Sequence, residues 1–168
     1  MITLETDRLI IRNFHPDDWQ DLQEMTVEHQ ATEWAKLEPL SPTGEEDVKG
    51  MAAFFASGDS FLAVLLKATG KQFGVIAIER REGQEEPVHN LGYTFHPGYS
   101  RQGYATEGCL AVMAYLFEQE GIAAILTGTR PENIPSVRLL ARLGIPPIGN
   151  GEYRITKEEW LARQRAAQ

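Results

Sequence analysis

Between residues 88 and 120 the apolar stretch PVHNLGYTF runs into GYSRQGYATEG and then into Leu110, Met113, Ala114 and Phe117 at helical spacing. A strand, a glycine turn and an amphipathic helix over 104–120 that ends at Gly121 satisfy this pattern. IAAILTGT at 122–129 follows as a buried strand. Strand 88–95, helix 104–120 and strand 122–129 then form a βαβ unit with parallel neighbouring strands and a right-handed crossover. The turn carries chemical meaning, because a helix start offers unpaired amides beside the positive end of its dipole, a ready anion site. Gly98 and Gly103 have Walker A spacing, but Tyr104 and Ala105 stand where Lys and Ser/Thr must touch phosphate and magnesium. No second glycine lies two residues after either one, so the dinucleotide fingerprint is absent too.

The elements around this unit fix the fold class. RLIIRNF reads as a first strand, and HPDDWQDLQEM as a helix with Pro16, Asp17 and Asp18 in its first turn. A second helix is expected over 44–57. SFLAVLLK and QFGVIAIERR, separated by ATGK, make an antiparallel hairpin. SVRLLARLG is a helix closing on Gly144, short strands fall near 147–155, and Thr156 to Glu159 has capping-box spacing. The class is α/β (α+β) with a mixed sheet. No repeat, linker or low-complexity tract interrupts the chain, so one domain over 1–168 is expected.

Composition narrows the partners. Sixteen Lys+Arg against 24 Asp+Glu give a formal charge of -8, which disfavours a nucleic-acid backbone as partner and suits an amine. The single cysteine, Cys109, cannot form an intrachain disulfide, and the longest apolar run, FLAVLL, is too short to span a bilayer. A cytoplasmic protein with no membrane partner is the expectation. An exposed sheet edge could support a homodimer.

SRQGYATEG resembles the Q/R-x-x-G-x-G/A pyrophosphate loop of the GNAT acetyltransferase superfamily, with Ser100, Gly103 and Ala105 at the pattern positions. It departs at Ser100, where the family often has Gln or Arg. TDRLIIR at the start, GYATE in the middle, RPENIPSVRLLARLG and YRITKEEW are similar, in order, to segments of the ribosomal-protein N-acetyltransferases and their small-molecule relatives. The resemblance implies a mostly antiparallel sheet, splayed between the strands at 88–95 and 122–129, with acetyl-CoA in the opening. It further implies that Arg101, Gln102, Gly103, Tyr104, Ala105 and Thr106 bind the pyrophosphate through their amides. Main-chain groups of Tyr93, Thr94 and Phe95 would hold the pantetheine and polarise the thioester. Ser136 matches the serine that protonates the departing sulfur, and Asn133 the asparagine that supports the cofactor or the helix entrance.

Acyl transfer to an amine needs a neutral nucleophile, a stabilised oxyanion and an exit for the thiolate. A thiol near pKa 8.5 leaves readily, whereas an amine near 10.4 costs about 4 to 5 kcal/mol to deprotonate at pH 7. Where many family members carry a strand glutamate, this chain has HNLGY; the resemblance puts Asn90 in that place, and an amide cannot take the proton. His89, His96 and Glu79 are the nearby titratable candidates, with water as the alternative. Asn133 is also a good N-cap before IPS. Arg101 and Arg142 could add charge near CoA phosphates, and Arg138 shares a helix face with Arg142. Glu33, Trp34 and Glu38 fall on the acceptor side of the fold that the resemblance implies, where the two carboxylates could attract a cationic amine. Cys109 reads as a packing residue, so no acyl-cysteine is expected, and no metal. The leading function is direct acetyl transfer from acetyl-CoA to an amine, either a protein N-terminus or a small molecule. A CoA-binding sensor without turnover is the alternative.

Overall fold

A computed structural model describes residues 1–168. Its first sheet has the order β1 (Thr3–Glu5), β2 (Leu9–Asn13), β3 (Phe61–Leu66), β4 (Gln72–Ala77), β6 (Gly92–Phe95), antiparallel throughout. The second has the order β5 (Val88–Asn90), β7 (Ala124–Gly128), β9 (Glu152–Thr156), β8 (Pro147–Gly149). Its one parallel pair is β5 with β7. Five α-helices complete the chain: α1 (Trp19–Gln30), α2 (Glu45–Ala56), α3 (Tyr104–Ala114), α4 (Ile134–Leu143) and α5 (Lys157–Ala166). None is long and apolar enough to cross a membrane.

FLAVLL is a continuous apolar run because both faces of β3 are covered. Leu62 and Val64 join Leu9, Ile11, Phe73 and Ile76 in a cluster of 22 buried residues that takes in α3 and α4. Ala63 and Leu65 point the other way, into a cluster of eight with Leu22, Met25, Val48 and Ala52 from α1 and α2. Period-two alternation therefore feeds two cores from one strand.

Three expectations are corrected in detail. The short strand β1 precedes the first expected strand. Helix 104–120 is α-helical only to Ala114 and then widens into a π turn over Tyr115–Gln119. Strand 88–95 is split at Leu91 into β5 and β6, which belong to different sheets. The Thr156 hydroxyl accepts from the Glu159 amide at 3.2 Å, so that helix start is capped as its spacing implies.

The split at Leu91 makes the opening. The Leu91 amide still bonds to the Leu126 carbonyl at 2.9 Å, but the Leu91 carbonyl takes the Thr127 hydroxyl at 2.7 Å instead of a backbone amide. From there β7 follows β9, with Thr127 opposite Tyr153 and Gly128 opposite Glu152. β6 follows β4, with Tyr93 opposite Ile76 and Thr94 opposite Val75. A side-chain hydroxyl thus ends the parallel ladder and the two strands diverge.

Candidate active site

The glycine turn is a double left-handed bend. Arg101 has φ 62° and Gly103 φ 81°, whereas Gly98 is not in the left-handed region, so the working hinge is Arg101–Gly103 and not the two glycines. None of the amides from Arg101 to Thr106 meets a protein acceptor; the first helical bond is Glu107 amide to Gly103 carbonyl at 3.0 Å. Six unpaired donors at the start of an 11-residue helix fit a pyrophosphate.

Arg8 of the N-terminal strand region holds this turn. Its Nη1 donates to the Gln102 carbonyl at 2.9 Å, its Nε to Glu107 Oε1 at 2.9 Å, and its guanidinium lies 4.3 Å from the Tyr104 ring centre. Glu107 also accepts from the Thr6 hydroxyl at 2.6 Å. Burial raises the Glu107 pKa, but the Thr6 and Arg8 hydrogen bonds outweigh it and hold the carboxyl below its ordinary value. On the other side Arg142 Nε donates to the Thr106 hydroxyl at 3.1 Å, tying α4 to the start of α3.

The edge of β6 that faces the opening is free. Asn90 and His96 donate their amides to Glu79 and Phe73 at 2.7 and 2.8 Å, so even-numbered residues bond to the β4 side. By strand parity Tyr93 and Phe95 present their amides and carbonyls to the gap. These donors and acceptors suit the amide-bearing pantetheine arm and a thioester carbonyl. The Phe95 side chain packs on Phe73, ring centres 6.0 Å apart, so only its main chain is available.

A cleft of about 760 Å³ opens on the same gap, lined among others by Glu38, Glu79, Asn90, Tyr93, Thr94, Asn133 and Ser136. At its floor the Tyr93 and Ser136 hydroxyls are 2.7 Å apart. Burial raises the Tyr93 pKa more than the Ser136 bond lowers it, so the phenol stays protonated at neutral pH. Asn133, 4% exposed, caps α4: its Oδ1 accepts from the Ser136 amide at 3.4 Å and its Nδ2 donates to Glu38 Oε1 at 3.0 Å. Glu38 Oε2 lies 2.8 Å from His29 Nε2. The His29 hydrogen bond outweighs burial and, with Asn133, holds the Glu38 carboxyl below its usual range.

The expected residues thus fall in two groups, Arg101–Thr106 with Arg142 at the turn, and Glu79, Tyr93, Thr94, Asn133 and Ser136 in the cleft; Phe95 offers the gap its main chain only, and Thr94, expected to hold the pantetheine by its main chain, instead spends that main chain on β4. His96 joins neither and is withdrawn as a catalytic candidate. Its Nδ1 accepts from the Gly98 amide at 2.9 Å and its Nε2 faces Glu24 at 3.2 Å, so no ring nitrogen is left for a substrate proton. His89 turns Nδ1 to the Ile78 carbonyl at 2.9 Å. Glu33 and Trp34 do not line the cleft, while Glu38 does. Cys109 is fully buried, its thiol pushed up to about 12 by burial, so it stays a packing thiol. Arg8, His29 and Thr127 carry roles that no local sequence pattern marks; Arg8 belongs to TDRLIIR, and its partner Glu107 lies 99 residues away.

A sheet opened beside a parallel strand pair, with an amide-lined turn at one side and a hydroxyl-floored cleft at the other, is the architecture of an acyl-CoA-dependent N-acetyltransferase. Residues 8–145 match the acetyltransferase (GNAT) domain, and the chain belongs to that family. It is 30% identical over 173 residues to the uncharacterized N-acetyltransferase YnaD of Bacillus subtilis, covering 94% of this chain and 98% of that one. A shorter match, 33% over 90 residues and 44% of this chain, is to 38% of the FsC-acetyl coenzyme A-N(2)-transacetylase of Aspergillus fumigatus. The crystal structure of a GNAT acetyltransferase from Bacillus anthracis superposes with TM-score 0.83 at 26% identity, covering 94% of this chain and all of that one. The ribosomal-protein-S5-alanine acetyltransferase of Vibrio fischeri shares the fold, with TM-score 0.79 at 16% identity over 95% and 99% of the two chains.

Proposed function

We infer that this N-acetyltransferase takes its acetyl group from acetyl-CoA and passes it to a primary amine by direct attack, with both substrates bound together in the cytoplasm. The observation that carries this reading is the set of unpaired amides from Arg101 to Thr106 together with the free edge of Tyr93 and Phe95, two regions joined through Phe73, on which both Tyr104 and Phe95 pack. Arg101, Gln102, Gly103, Tyr104, Ala105 and Thr106 bind the pyrophosphate by main-chain hydrogen bonds. The Tyr93 amide or carbonyl orients the pantetheine, and the free amides of the edge polarise the thioester oxygen. Arg142 anchors the turn through Thr106 and adds positive charge near it.

Ser136, paired with the Tyr93 phenol, supplies a proton to the departing sulfur, and Asn133 fixes the helix start that carries Ser136. A thiolate leaves tolerably unprotonated, so this acid contributes less than the positioning does. The acceptor is a protein N-terminal amine or a small-molecule amine. The α-amine is easier to use, since deprotonating it costs only about 1 kcal/mol at pH 7. Calorimetric titration with CoA and with NAD tests the reading: it requires binding of CoA and none of NAD, and a preference for NAD would overturn it.

A further inference from the structure

We propose that Glu38, on the segment between α1 and α2, is the general base that takes the proton from the attacking amine. This rests on the transferase reading above. Asn90 lines the cleft, but its amide has no basic lone pair to offer. Three carboxylates line the cleft, Glu38, Glu79 and Glu152. Glu79 and Glu152 are exposed and make no side-chain hydrogen bond or ion pair that would aim them. Glu38 differs on each count. Its side chain is 33% exposed, one oxygen is held by His29 at 2.8 Å, and the other by Asn133 at 3.0 Å. Asn133 in turn caps the helix that places Ser136 against Tyr93. The carboxylate is therefore tied through one side chain to the hydroxyl pair that faces the leaving group, and a base must first be held in place to be useful.

Each carboxylate oxygen keeps a second lone-pair site after these two bonds. As the amine nitrogen bonds to the acyl carbon, one N–H bond breaks and its proton passes to a Glu38 oxygen. The C–S bond then breaks, and the sulfur takes a proton from the Ser136–Tyr93 pair. Solvent afterwards receives the Glu38 proton and restores the hydroxyl. A weakly basic carboxylate suffices, because a nitrogen that has formed its bond to the acyl carbon is far more acidic than the free ammonium. His29 keeps Glu38 in the ionised form that can accept.

The test is thiol release from acetyl-CoA with an alanyl peptide, a seryl peptide and spermidine, using wild type, Glu38→Gln and Glu38→Ala. Glutamine keeps an oxygen for Asn133, so E38Q should bind CoA as wild type does and lose about 100-fold or more in kcat with little change in KM for acetyl-CoA. Added formate should restore activity to E38A in a dose-dependent manner and leave wild type unchanged. Wild-type rates in E38Q, loss of CoA affinity as the main defect, or an inactive E38A that formate does not rescue would each overturn the assignment. Wild type that releases thiol with none of these amines would overturn the transferase reading, and this assignment with it.

Discussion

Replacing Gly103 with valine separates folding from cofactor binding. Gly103 sits at φ 81°, and a Cβ there would meet only Arg8 Nη2, at 3.4 Å. That distance is an ordinary contact, so the folded chain can hold the substitution. The left-handed conformation costs an L-residue about 1 to 2 kcal/mol, and a β-branched one at least that. For a chain of this length the melting temperature should fall by about 2 to 8 °C. The effect on CoA is larger, because relaxing the left-handed bend at residue 103 displaces amides that have no protein partner. Hydrogen bonds to a charged group contribute about 1.5 to 3 kcal/mol each. Losing two of them weakens CoA by about 10² to 10⁴-fold. Calorimetry at neutral pH reads the affinity and a thermal melt reads the fold. G103V that stays folded and binds CoA as tightly as wild type would refute the placing of the pyrophosphate on this turn.

Arg8→Ala removes the Gln102, Glu107 and Tyr104 contacts together; because the pair is partly exposed, stability should fall by about 1 kcal/mol while CoA binding weakens measurably, and calorimetry showing no loss would leave Arg8 a surface residue. Tyr93→Phe should lower kcat more than it raises KM for acetyl-CoA, since it deletes the phenol beside Ser136 and keeps the packing; equal kinetics would remove that hydroxyl from the acid role. Asp18 is held below its ordinary value because Arg12 and the His15 amide outweigh the opposing effect of burial, and Glu38 and Glu107 are lowered as well. A depressed carboxyl stabilises fully above its unfolded pKa, about 3.9 to 4.3, and progressively less as pH falls through the folded value, so melts should decline below about pH 4 and D18N should flatten that decline. Native protein at pH 8 should leave Cys109 unlabelled by a thiol reagent until it is unfolded; prompt labelling would contradict its burial.

The local part of this structure is readable from the chain. The hairpin of β3 and β4, helix α2 at 45–56 against an expected 44–57, the α4 cap at Asn133 and the turn before α3 all follow from patterns within a few residues. The site's assembly is not readable, because its decisive contacts join distant residues: Glu38 to Asn133, Tyr93 to Ser136, Arg8 to Gln102. The split at Leu91 escapes pattern reading for a different reason. No proline or turn dipeptide interrupts Val88 to Phe95, and only the Thr127 hydroxyl of another strand decides where the ladder stops. His96 misleads in the same way, since its position at a strand end says nothing of the Gly98 amide and Glu24 that occupy its ring.

The most direct measurement is release of free thiol from acetyl-CoA across N-terminal peptides, polyamines, amino acids and aminoglycosides, with the acetylated product identified by mass and a CoA thermal-shift titration alongside. The account predicts that CoA raises the melting temperature and that thiol appears only when an amine is present, matched mole for mole by acetylated amine. Stabilisation by CoA without release for any amine would contradict it and make the protein a CoA sensor.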